Sequence, residues 1–161
     1  MAGEVEFAFE DEKSQAFLKK ILSNVEKVKD GKNEFAEHIS PMVFADILGH
    51  FEEQKGPSGG WKAWSNIYSQ HMAKIGKSGN SILQDTGHLR QMFTPKNYRS
   101  SGDGILWFNP AQTKDGFPYA AAHDEGGPKL PQREFMWLSK EAGALIERAT
   151  LEFLEKGVDS D

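Results

Sequence analysis

Three short stretches of the chain carry residue types that could do chemistry. SILQDTGHLR contains Asp85-Thr86-Gly87, the triplet in which aspartic proteases present their catalytic carboxylate. In those enzymes two such aspartates share one proton and activate a water between them. KIGKSGN contains Gly-Lys-Ser, the end of the loop that cradles nucleotide phosphates. HDEGG sets His123, Asp124 and Glu125 in a row, a base beside two acids.

Each stretch depends on the elements that must position it. The protease fold is nearly all β, whereas both ends of this chain follow a helical period. After Gly87 the sequence HLRQMF continues as helix, so Asp85 or Thr86 is expected to cap it, with Gly87 in a tight turn and Leu89 and Met92 inward. In the phosphate loop another glycine stands five residues before Gly76, where this chain has His71, and a helix rather than a strand precedes it. Adjacent side chains diverge, so His123, Asp124 and Glu125 do not converge on one ion. His38, His50, His71 and His88 show no paired ligand spacing. No metal or cofactor is therefore expected. Two alternatives to a structural role stay open: a small hydrolase using His123 with Asp124 or Glu125, and an adaptor for a host protein.

The composition suits one domain spanning 1–161. At this length a chain buries roughly 70% of its unfolded surface, enough for a core without staples. The hydrophobic fraction is 38% and the mean hydropathy −0.59. No apolar run approaches the roughly 18 residues of a membrane span, and the start, MAGEVEFAFEDEK, lacks a signal-peptide pattern. With no cysteine there is no disulfide and no thiolate site, which suits a cytoplasmic product. The net charge is −5, unevenly spread. Residues 1–55 carry 7 basic and 12 acidic residues, 56–138 carry 9 and 6, and 139–161 carry 3 and 6. A basic middle between acidic flanks could steer neighbouring copies together. The acidic balance argues against sequence-specific nucleic-acid binding.

Along the chain, residues 5–10 alternate as a short strand. A helix is expected from 11 to 29, capped by Asp11 or Ser14, with Phe17, Ile21, Val25 and Val28 inward. A second, over 33–54, turns Phe35, Ile39, Val43, Ile47 and Phe51 to the core, and Pro41 should start, break or kink it. Residues 56–60 form a loop, 65–75 a helix, 77–80 a mobile Gly-rich loop and 86–93 a short helix. Residues 97–109 are β-like around a Ser-Ser-Gly-Asp-Gly turn, 112–117 a turn, and 131–138 a further strand. The last helix, 139–156, is capped by Ser139, with Ala142, Leu145, Ile146, Ala149 and Phe153 inward. The fold class is α+β: a small antiparallel sheet packed against several helices, the last one long. Trp61 and Trp64, three apart, would share a face on a helix, as core or as an assembly contact.

The landmarks run in order: Pro57-Ser58-Gly59-Gly60-Trp61, Ile82 to Leu89 around Leu83, Thr86 and Gly87, Tyr119 to His123, Gly126-Gly127, and Leu130-Pro131-Gln132-Arg133-Glu134-Phe135 running on to Ser139. Together they resemble the phage virion morphogenesis family, which includes the G protein of Mu-like phages and relates to tail-completion proteins. The resemblance covers about 51–139, after a helical part at 11–54. It departs from the family at Asp124, Glu134 and Trp137, where Gln, Pro and Gly are usual. It implies that Trp61, Leu83, Thr86, Gly87, Leu89, Tyr119, His123, Gly126, Pro131, Arg133 and Phe135 are structural family positions and that Asp85 is no protease base. It also implies a non-enzymatic factor in tail completion or head-tail joining. Such a factor would form a ring of copies on the tail tube or connector, with Trp61, Trp64 and Lys77 as interface candidates. It would work in the bacterial cytoplasm during assembly, or at the virion neck or tail end.

Overall fold

The structure is a computed structural model describing residues 12–101 and 104–157. The strand expected at 5–10 and the cap by Asp11 lie outside these residues. Helix α1 (Glu12–Lys29) leads through a turn into α2 (Asn33–Glu53), the longest element. Hairpin β1 (Lys55–Gly56) and β2 (Gly59–Gly60) precedes α3 (Asn66–Lys74) and the single turn α4 (His88–Gln91). A second hairpin joins β3 (Tyr98–Ser101) to β4 (Gly104–Trp107). Then come α5 (Tyr119–Glu125) and α6 (Lys140–Lys156). The class is α+β as expected, but the β content is two separate two-stranded antiparallel sheets.

The apolar stripe of α2 organises the core. Phe35, Ile39, Val43, Ile47 and Phe51 are all buried, as the helical period requires. Pro41 does not split the helix. It stands on the exposed face, while the buried Ser40 hydroxyl donates to Ala36 O (2.6 Å). At one end Phe35 and Ile39 meet Ala149 and Phe153 of α6. At the other, Val43, Ile47 and Phe51 meet Trp61, Leu89, Phe93 and Phe135. Trp107 of β4 and Ile146 pack against both clusters.

Two helices differ from their expected faces. In α1 the inward position belongs to Asn24, whose Nδ2 donates to Phe153 O and Leu154 O (both 3.1 Å). Those are carbonyls of the last turn of α6, where Phe153 O also accepts from Gly157 N (2.8 Å). Phe17 and Val25 consequently face outward. In α6, Leu145 is exposed, while Ala142, Ala149 and Phe153 are buried. Ser139 caps α6 as expected, accepting from Ala142 N, and Ser65 caps α3 by accepting from Tyr68 N.

Residues 131–138 form no strand. Their alternation is real, but side chains and loop carbonyls satisfy the backbone instead of a ladder. Asp124 Oδ1 accepts from both Phe135 N and Met136 N (2.8 Å each). Trp61 Nε1 donates to Glu134 O (2.9 Å) and His50 Nδ1 to Phe135 O (2.9 Å). Arg133 N donates to His123 O (2.8 Å). The segment is an extended strap, closed at its end by Asp46, which accepts from Ser139 N and Oγ (2.8 and 2.5 Å).

Candidate functional site

A groove of about 880 Å³ lies between three segments, 62–68, 81–89 and 119–133. The first two segments are tied to the end of α2. Gln54, left-handed just after that helix (φ 51), accepts from Trp61 N through its carbonyl (2.7 Å) and from Ile82 N through its side chain (2.9 Å). Gln84 Nε2 donates to Phe51 O (2.8 Å). The third wall turns at Gly126, with φ of 72°, where an added Cβ would sit 2.7 Å from Gln132 N. No side chain fits there, and the turn delivers Pro131 and Arg133 to the groove.

Leu83, Thr86, Gly87, Leu89, Tyr119, His123, Pro131 and Arg133 all line this groove. Trp61 and Phe135 lie beneath it in the core, Trp61 edge-on to Phe51 and Phe135 tilted against it. Trp61 and Trp64 share no helical face, because 61–65 is irregular and α3 begins only at Asn66. Trp61 turns inward, whereas Trp64 lines the groove and packs edge-on against Tyr68.

The Asp-Thr-Gly turn carries structure. Asp85 Oδ1 accepts from Lys77 Nζ (2.6 Å) and Asn80 Nδ2 (3.2 Å), so the 77–80 loop is fastened to the turn. Neither Asp85 nor Thr86 takes the N-cap position, which is Gly87 at φ 73°, with Thr86 Oγ1 accepting from His88 N (3.3 Å). The helix there is shorter than expected, a single turn.

The groove's electrostatics are cationic. Lys62, Lys129 and Arg133 line it with one carboxylate, Asp85, itself paired with Lys77. Arg133 is only 6% exposed, and its Nε donates to Lys62 O (3.0 Å). Burial lowers its pKa, against a smaller opposing effect of Tyr68. Burial also lowers the His123 pKa, and the charge of Arg133 lowers it further. His123 Nδ1 is buried without a hydrogen-bond partner among the described residues. Tyr119, whose hydroxyl is hydrogen-bonded to His88 Nδ1, has its pKa raised by burial.

The structure does not join His123 to the acids beside it in sequence. Asp124 is occupied by two strap amides, and Glu125 is exposed. Among the described residues no three His, Asp or Glu side chains group so as to hold a metal ion. No helix there is long and apolar enough to cross a membrane. Sequence reasoning missed Gln54, Gln84, His50, Asp46 and Asp124 as the residues that assemble the walls. Only the departure at Asp124 marked one of them.

The protein is an α+β body whose landmark residues gather in and beneath one groove. Residues 10–155 match the phage virion morphogenesis family, and the chain belongs to it. The match takes in α1 and nearly all of α6, beyond the 51–139 stretch that the landmarks span. No curated protein and no solved structure matches the chain.

Proposed function

We propose that the protein is a structural assembly factor that completes the phage tail or joins it to the head, acting as a ring of identical copies on the tail tube or connector. The observation that carries this reading is family membership over 10–155, together with the convergence of the landmark residues on one groove. Charge supports it: a ring needs one face to meet a different face of the next copy, and residues 56–138 are net +3 between flanks of −5 and −3. Trp64 at the groove supplies an aromatic anchor of the kind that dominates interfaces. Lys77 is held by Asp85 and contributes at the rim. Rim charge pairs add little affinity, so the ring is weak alone and salt-sensitive. Its place of action is the host cytoplasm during assembly, then the virion neck or tail end.

The test is electron microscopy of particles from a strain lacking the gene. The expected result is filled heads and tails that fail to join, or tails of defective end structure, restored by supplying the protein. Normal, joined particles in that strain would remove the assembly role. Light scattering of the purified protein should show mass rising with concentration and falling with salt.

A further inference from the structure

The groove sets three cations, Lys62, Lys129 and Arg133, against one carboxylate, Asp85, which Lys77 already engages. Arg133 is a nearly buried cation, and among the described residues neither it, Lys62 nor Lys129 forms an ion pair. A buried charge without a counter-charge is costly, and an arriving carboxylate would offset that cost with a forked hydrogen bond. Trp64, Tyr68, Leu83, Leu130 and Pro131 add apolar and aromatic surface, interspersed with hydroxyl and imidazole side chains. A ligand that matches this lining is an acidic peptide that also carries apolar side chains.

The chain contains such a peptide. Residues 4–11 read EVEFAFED, with four carboxylates and no cation. Extended, this segment would put Val5, Phe7 and Phe9 on one side and Glu4, Glu6 and Glu10 on the other. The other acidic end, GVDSD at 157–161, offers two carboxylates and only one sizeable apolar residue. The helix that follows the arm at residues 4–11 is fastened to α6 through Asn24, but its first turns and outer face are open. Phe17, Leu22 and Val25 are 52%, 64% and 41% exposed, and nearly every described side chain from Glu12 to Lys20 is exposed.

We infer that the groove receives residues 4–11 of a neighbouring copy, with Phe7 and Phe9 against Trp64 and Leu83 and a carboxylate on Arg133. This rests on the self-association proposed above and names its contact.

The experiment uses the full chain carrying Phe7→p-benzoylphenylalanine. Copies labelled with ¹⁵N are mixed with unlabelled ones, irradiated, and the cross-links mapped by mass spectrometry. The expected product is a light–heavy pair joined from position 7 to residues 62–68, 83–89 or 128–133. Cross-links within one chain only, cross-links to another surface, or none at all would overturn the inference. Arg133 variants could fail to fold, so charge is tested elsewhere. Glu4→Lys with Glu6→Lys should cut the yield at least several-fold, as should Lys62→Glu with Lys129→Glu. Combining the two reversals should restore it; failure to restore it counts against the contact. The particle assay separates the two ideas. Without light–heavy cross-links, but with defective particles in the deletion strain, the groove contact falls and the assembly role stands.

Discussion

Phe153 and Phe135 are both fully buried, but by different means. Phe153 lies on a helical stripe and packs against Phe35 of the next helix, with rings 5.2 Å apart. Phe135 lies in an extended strap, held over Phe51 by Asp124, His50 and Trp61 through hydrogen bonds to backbone. The helical end satisfies most of its backbone within its helices, with Asn24 of α1 bonding the last turn of α6, and its apolar side chains pack. The groove end satisfies its backbone with side chains from distant segments, which leaves irregular walls able to present charge and aromatic surface.

The largest expected effect tests that contrast at its centre. Phe135→Ala and Phe153→Ala should each lose about 3–5 kcal/mol in denaturant unfolding, the usual range for a buried phenylalanine. Their consequences should differ. Phe153→Ala, where still folded, should keep the arm cross-link at the groove, whereas Phe135→Ala should lose it. Trp107 and Ile146 pack against both clusters, so both variants should still unfold in one transition. Two separate transitions would show that the ends are independent units.

Next in size are two glycines on the groove side. Gly126→Ala should cost roughly 2–4 kcal/mol, since its Cβ would meet the backbone of Gln132 in a left-handed conformation. Gly87→Ala should cost only about 1 kcal/mol, because its Cβ would approach the movable end of Gln91 at 3.3 Å and the penalty is mainly conformational. Thermal melts of the two variants measure the difference. Equal losses would mean that the turn at 126–132 can relax, and that the third wall is softer than its contacts imply.

These two ends also differ in how far sequence reveals them. The core face of α2 follows from period alone, and Ser139 announces the helix it caps. The hairpin at 98–107 follows from its turn residues. The strap carries a strand's period in Phe135, Trp137 and their neighbours, but one carboxylate, Asp124, accepts from the amides of Phe135 and Met136. The contacts that build the groove join residues 28, 85 and 93 positions apart, through Gln54, His50 and Asp46. A side chain bonding to a remote backbone leaves no periodic trace. In α1 the period itself misleads, because polar Asn24 takes the inward place to bond the end of α6. The landmark order found the groove's lining, but not the residues that hold it in shape.

The smallest expected effect is a pH dependence confined to the groove end. His123 is half-buried, and both burial and the charge of Arg133 hold its pKa below the ordinary histidine value of about 6.5. The folded state therefore binds this proton less readily than the unfolded chain does. The stability contributed by neutral His123 is full above the unfolded value, and it is lost as pH falls through the lower folded one. Wild-type melting temperature should accordingly drop more steeply between pH 7 and pH 5 than that of His123→Gln, with other titrating groups common to both. A carboxylate seated on Arg133 would offset the second cause, so the slope should become shallower where copies associate. Melts at low and high protein concentration, each across that pH range, measure this. Identical slopes for wild type and His123→Gln would show that His123 does not sense pH in the folded chain. Identical wild-type slopes at both concentrations, once light scattering confirms association, would place the contact between copies away from Arg133.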